Sequence, residues 1–274
     1  MEKHRALKIW SIGSGILLIG IVLYINFYIL IKGIGGIDKE FLSGVPKGFP
    51  LGTEGGIFPA IIGSIYFTLI ACIFAGIISI STAIYLNFYC TNKNIQGLIH
   101  LVTQSVAGIP SIVLGLFGYT FLVVHLKLGI SLLSGGIILG IMIFPFIEVR
   151  IEKIIGEIDQ EMIHASYALG VSKSYTFFKI ILPMCVKEMI GAISLAGGFA
   201  MGATAPILFT GAVVYAPVPK NILSPAMALP YHLYLLIGEG ISIENAYKTA
   251  FVLLLILLFL NSIGMGIGVF RKEE

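Results

Sequence analysis

Apolar residues come in long, nearly unbroken runs in this chain, and polar residues gather between the runs instead of alternating with them. Neither the alternation of a half-buried strand nor the narrow stripe of a soluble amphipathic helix organises most of its length. A helix needs about 20 apolar residues to cross a bilayer. Six stretches qualify: about Ile9 to Ile31, Pro59 to Phe88, Gly97 to Val124, Gly129 to Val149, Met184 to Tyr215 and Ala246 to Phe270. The second and fifth are longer than a span needs, which predicts tilt or a kink. The first follows Lys3, Arg5 and Lys8, as a signal peptide would. Its apolar part is too long for one and no small-residue cleavage site follows promptly, so it is expected to be a retained helix. The pattern predicts an all-α integral membrane protein with six transmembrane helices.

Two connections stand out. Arg150 to Pro183 is the longest on its side. Ala216 to Asn245, on the other side, contains SPAMALPYHLYLLIGEG (224–240), whose apolar middle is too short to span. A short interfacial or re-entrant helix is expected there, because irregular backbone near the membrane is tolerated where it is buried in protein or lines a cavity. The basic residues set the orientation. Lys3, Arg5, Lys8, Lys93, Arg150, Lys153, Lys173, Lys179, Lys187, Arg271 and Lys272 fall on one side. Lys32, Lys39, Lys47, Lys127, Lys220 and Lys248 fall on the other. The excess of Lys and Arg on cytoplasmic loops then predicts both termini in the cytoplasm.

Composition sharpens this. The chain is 57% hydrophobic and 11% charged, with mean hydropathy +1.00; soluble domains carry about 25% charged residues. Thirty-three glycines and eleven prolines suit packed membrane helices. Cys72, Cys90 and Cys185 are too far apart and too few for a disulfide framework or a metal site. No G-x-x-x-x-G-K-[ST] phosphate loop, H-E-x-x-H motif, Cys/His cluster or nucleophile–base set occurs. The chain is therefore not expected to be an enzyme, to hold a metal or cofactor, or to bind nucleic acid. Glu148, Arg150, Lys187 and Glu188 sit at predicted helix ends, where long side chains reach the interface. Few charges remain at membrane depth to relay an ion, so energy for any transport is expected from a partner.

The stretch HASYALGVSKSYTFFKIILP (164–183) is unlike its surroundings. Glu157 to Leu169 suits a helix with acidic residues at its positive end. Gly170 stands where helices end in a left-handed conformation, and Ser172 can cap a second helix through Phe177, Phe178, Ile180 and Ile181 to Pro183. The result is a helix–turn–helix knob with a small, polar tip. It either shields the inner end of the bundle or docks into a groove on another protein.

Here the chain resembles ABC-importer permeases, whose cytoplasmic loop reads E-A-A-x-x-x-G-x(9)-I-x-L-P. Gly170, Ile180, Leu182 and Pro183 fall on register, and His164 replaces the usual Glu. The resemblance implies a type I ABC-importer core over residues 55–270, with its coupling loop at 150–183 and residues 1–54 forming a peripheral helix and external loop. It implies ATPase coupling through His164, Ala165, Ser166, Gly170, Ser172, Lys173, Ser174 and Tyr175.

Four further stretches occur in order: GGIFPAIIGSIYFTL (55–69), GIPSIVLGLFGY (108–119), AMGATAPILFTGA (200–212) and ALPYHLY (228–234). Together they are similar to PstA-type permeases of phosphate importers. Gly108, Pro110 and Ser111 would bend the third span, and Pro206 the fifth beside Thr204 and Thr210, freeing backbone groups and hydroxyls for an oxyanion. The same residues also serve as kinks and small contacts for close helix packing. Related permeases read Arg-Ala-x-Gly-Glu-Thr-Ala-Pro where this chain has Phe199 to Pro206, so Phe199 and Ala203 replace two charges. The implied assembly has a second, PstC-like permease chain, two PstB-like ATPase subunits that bind ATP and Mg²⁺, and a PstS-like extracytoplasmic phosphate-binding protein, in a prokaryotic plasma membrane. Another oxyanion, such as phosphonate, molybdate or tungstate, is the alternative solute. A passive channel would show charge rings or a filter repeat, which are not visible.

Overall fold

The computed structural model describes residues 2–269. Phe270, Arg271 and Lys272 lie outside the described residues. Eleven helices follow in order: α1 (Glu2–Ile34), α2 (Lys39–Ser43), α3 (Phe58–Ile84), α4 (Lys93–Ala107), α5 (Ser111–Gly118), α6 (Leu132–Gly156), α7 (Gln160–Ala168), α8 (Lys173–Thr176), α9 (Leu182–Gly202), α10 (Leu229–Gly238) and α11 (Ile243–Val269). A two-stranded hairpin, β1 (Pro46–Lys47) and β2 (Glu54–Gly55), lies between α2 and α3. Wider π-turns extend α3 over Tyr85–Tyr89 and α5 over Tyr119–His125, and a third, Phe177–Ile181, joins α8 to α9. Five helical stretches are long and apolar enough to cross a membrane, and a sixth crossing is available if α4 and α5 count as one.

The centre of the bundle is the pair α3 and α6. Lipid tails are as apolar as the side chains, so membrane helices associate through close packing more than through the hydrophobic effect. The glycines of α6 make that approach possible. Gly135, Gly136 and Gly140 lie against Phe67, Ile70 and Phe74 of α3; a Cβ on Gly140 would stand 2.7 Å from the Phe74 ring and 3.2 Å from the Ala71 carbonyl. Ser79 adds a hydroxyl bond to the Phe144 carbonyl at 3.2 Å. Next, α9 joins α11 by the same device: Gly191 meets Gly264, and Ser194 donates to Leu260 O at 3.0 Å. Along the periphery, α1 packs on α11 near Gly33 and through an edge contact of Tyr28 with Tyr247, while its apolar length is otherwise exposed.

Three expectations change and one sharpens. The bend expected in the third span (97–124) is a full break: α4 and α5 meet at 98° around Gly108–Pro110. Proline has no N–H and biases the residue before it away from helix, so the chain turns there. The predicted fifth span (184–215) is displaced. Its helix starts at Lys173 and runs to Gly202. Pro183 therefore does not end the loop helix; it lies in the first turn of α9, and the π-turn just before it accommodates its missing donor and bulky ring. Pro206 does not kink this helix either. The helix has already ended, with Ala203 extended at φ −82°, ψ 125°. Finally, Glu148 does not reach the interface. With α6 continuing to Gly156, it lies inside the helix and is fully buried, and neither carboxylate oxygen has a hydrogen-bond partner among the described residues.

Residues 203–228 are irregular yet run through the packed end of the bundle. Their backbone is tied to the start of α6 by Ser131 N to Thr210 O, Leu132 N to Ser224 O and Leu133 N to Ile222 O, and to itself by Val213 N to Ala226 O, all at 2.9–3.1 Å. The Ser64 hydroxyl of α3 accepts from Leu229 N at 2.8 Å. Gly63 lets this strip pass against α3, because a Cβ there would meet the Met227 carbonyl. The expected short helix follows as α10.

Gly140→Val is expected to destabilise the protein by about 1–3 kcal/mol, the usual cost of overpacking. Thermal unfolding in detergent, followed by size exclusion, should show a lowered midpoint. Gly13→Val on α1, where a Cβ meets nothing within 4 Å, should leave it unchanged.

Candidate functional site

The connection after α6 forms the predicted helix–turn–helix, with a shorter first helix. Asp159 caps α7, its carboxylate accepting from Glu161 N at 2.9 Å. Gly170 closes α7 at φ +78°, and the turn is fastened by Gly170 N to Tyr167 O (2.9 Å) and Val171 N to Ser166 O (3.2 Å). Ser172 caps α8, accepting from Tyr175 N at 3.3 Å. Ile163 and Phe177 are buried beneath the turn, with Phe177 edge-on to Phe88 at the end of α3. Two polar latches tie the same end of α3 to α8. Lys173 Nζ donates to Phe88 O at 2.8 Å, and the Tyr89 and Ser174 hydroxyls stand 3.2 Å apart.

Among the residues named for coupling, His164, Ala165, Gly170, Ser172, Lys173, Ser174 and Tyr175 are exposed. Ser166 is not. It is 5% exposed, donates to Ile163 O at 2.8 Å and lies 2.9 Å from the Thr176 hydroxyl. It holds the two helices of the knob together and cannot present its side chain to a partner. Leu169, 83% exposed, and Phe178 stand apolar on the outside of the knob. Their signal in the sequence was an apolar residue beside a turn glycine and another in a charged stretch. A cleft of about 190 Å³ opens beside His164, lined also by Asn87, Gln160, Tyr167 and Lys173.

The residues named for the pathway divide similarly. Gly108 and Pro110 are exposed at the α4–α5 break, with Ser111 half-buried. Ser111 and Ile112 begin α5, where amides lack an intrahelical acceptor. Glycines bring α5 onto the irregular segment. A Cβ on Gly115 would lie 2.8 Å from Ala205 O, and one on Gly118 would lie 2.9 Å from Thr210. The body of α5 is thus packed on Ala205 and Pro206 of the irregular segment. Thr204 is half-buried, but Thr210 is fully buried and its hydroxyl donates to Pro206 O at 2.8 Å, so it is engaged internally and does not face a solute. Phe199 is exposed on α9, edge-on to Phe146 of α6 with centroids 5.4 Å apart. Glu148, placed at a helix end by the sequence, was not among the residues named for the pathway. Across α4 and α6, Glu152 next to it pairs with His100 at 3.5 Å.

On the face opposite the knob, α10 and the hairpin form a cap. Asn245 Nδ2 donates to Gly52 O and Thr53 O, both at 2.9 Å, pinning the hairpin tip. His232 is 6% exposed on the inner side of α10, near Gly52. Burial lowers its pKa from 6.5 to about 4, so it is neutral near pH 7.

Residues 79–270 match the family described as "Binding-protein-dependent transport system inner membrane component". The chain belongs to that family. Among its relatives, "Phosphate transport system permease protein PstA 2" of Mycobacterium bovis is 30% identical over 216 residues, 78% of this chain and 71% of the relative. "Probable phosphate transport system permease protein PstA" of Methanocaldococcus jannaschii is 31% identical over 232 residues, 79% of this chain and 82% of the relative. In solved structures, a chain of the MetNI methionine ABC transporter in inward facing conformations superposes with a TM-score of 0.63 at 18% identity, covering 76% of this chain and 92% of that one. The fold is that of an ABC-importer permease. The chain is a multi-pass inner membrane component of binding-protein-dependent transport.

Ser166→Ala should leave the buried Thr176 hydroxyl without its side-chain partner and cost about 1–3 kcal/mol locally. Limited proteolysis within residues 157–172 should quicken while the spans remain intact. For His232 the sign is set by a lowered folded pKa. Between pH 6.5 and about 4 the unfolded state takes up a proton that the folded state refuses, so stability falls as pH drops through that window and is flat above it. Thermal midpoints at pH 7.5 and 5 should differ in the wild type, and His232→Gln should reduce the difference.

Proposed function

We propose that this permease forms one half of the pathway of an ATP-driven importer for inorganic phosphate. It pairs with a second, PstC-like permease, and two PstB-like ATPase subunits bind ATP and Mg²⁺ and dock against the knob at residues 150–183. A PstS-like receptor delivers phosphate on the opposite face. Both termini and the knob face the cytoplasm. The observation that carries the coupling is the continuous helix from Lys173 to Gly202. At 1.5 Å per residue it spans about 45 Å from the coupling turn to the irregular segment at Ala203–Pro206. A displacement of the knob is carried as a rigid-body tilt to the residues packed on α5 at Gly115. Closure of the ATPase pair thereby biases one of two arrangements of the bundle.

For the solute, the support is that relatives in a bacterium and an archaeon, at 30% and 31% identity, bear phosphate-permease names. The side chains this chain offers near the break are small or apolar. The α5 amides at Ser111 and Ile112 and the Thr204 hydroxyl are the groups suited to an oxyanion, consistent with a weak transit site behind a selective receptor. One observation favours a second reading. Phe199 stands where related permeases carry Arg, and it packs on Phe146, which leaves another oxyanion, such as phosphonate, molybdate or tungstate, as the solute.

Labelled-phosphate uptake into vesicles holding the assembled complex should require ATP and resist competition by molybdate and phosphonate. An ATP-hydrolysing complex that takes up no phosphate overturns the solute assignment. Ala165→Asp, on the exposed face of α7, should leave the chain inserted but reduce ATPase co-purification and abolish uptake; retention of both overturns the docking role.

A further inference from the structure

On the face opposite the knob, an apolar groove of about 260 Å³ runs down the side of α3. Its wall is Tyr66, Leu69, Ile70 and Ile73, its back is Leu132 at the start of α6, and its rim is the irregular stretch Pro219–Ile222. The groove exists because that stretch is held away from α3. Leu132 N and Leu133 N donate to Ser224 O and Ile222 O at 2.9 Å, fixing the rim to the first turn of α6, while α3 continues past it. Leu69 and Ile73 are half or more exposed, so the wall is uncovered within this chain.

The rim has a different chemistry. Lys220 is exposed and has no acidic partner among the described residues. Asn221 uses its Oδ1 to accept from Leu223 N and the Ser224 hydroxyl, both at 3.0 Å, leaving its Nδ2 donors free of protein partners among the described residues. A cation and an amide donor therefore stand at the mouth of a trough whose walls are hydrocarbon. From Tyr66 to Ile73 the wall descends about 10 Å, roughly two-thirds of the hydrocarbon of one leaflet.

We infer that this groove is a binding site for an anionic phospholipid of the leaflet opposite the knob, with the phosphate of its headgroup on Lys220 and Asn221 and one acyl chain along Leu69, Ile70 and Ile73. The two-part chemistry selects this occupant. A transmembrane helix of a partner would fill the apolar wall but would not use a lone lysine and a free amide at the rim. A soluble anion would use the rim and leave the wall empty. The site is independent of which solute the permease carries.

The test uses the permease purified with its partner chains from nanodiscs of equal phosphatidylglycerol and phosphatidylcholine, with retained lipids counted by mass spectrometry. The wild type should retain phosphatidylglycerol preferentially. Lys220→Gln should lower that preference about fivefold, the effect of one lysine near an anionic surface. Leu69→Trp, which fills the trough, should lower retention of both lipids. A photo-crosslinking residue at position 69 should capture lipid. An unchanged preference in Lys220→Gln, or capture of the partner permease at position 69, overturns the inference.

Discussion

Every backbone amide and carbonyl within a bilayer has to find a partner inside the protein, and this requirement governs the architecture at residues 203–228. Helices meet it by themselves. This segment cannot, because Ala203 is extended and Pro206 follows, so its polar groups are shared with the start of α6 and with its own turns, and Ser64 of α3 holds the amide of Leu229 just beyond it. The glycines at 63, 115, 118 and 211 are the counterpart of those bonds, since each lies where another element's atoms would collide with a side chain. The irregular segment and the α3–α6 core thus depend on one another.

The positions of the spans were legible because apolar runs of that length have few other uses. Their ends were less so. Hydropathy sums composition and does not distinguish one proline from another, and this chain has three that behave differently. Pro110 turns the chain at an exposed break, Pro145 is carried inside α6, and Pro183 sits just after a π-turn in a helix packed on α3, α6 and α11. Tertiary packing decides which proline ends a helix, and a single sequence does not display it. The polar character of residues 173–183 likewise concealed that they belong to the same helix as the span after them.

At the knob, turn chemistry was readable residue by residue: Gly170, without a Cβ, takes the positive φ and Ser172 caps with its hydroxyl. The inward direction of Ser166 was present as well, three residues after the buried Ile163 on the same helical face. Small polar residues near a turn invite a surface reading, but this hydroxyl turns inward to Ile163 O and Thr176. Glu148 could not have been found without the true end of α6, since a glutamate at a helix terminus and one two turns inside it look alike in sequence.

The contact between α1 and α11 has a consequence for how the chain is made. These two spans are far apart in the sequence, and among the described residues α1 has little else to pack against. Until α11 has been made, α1 is a lone helix in lipid, tethered but unplaced. Docking it closes the long loop from Tyr28 to Tyr247, a slow step that local contacts cannot hasten. Assembly of the bundle therefore has a clasp that waits for α11, and a chain that stops short of it leaves α1 adrift.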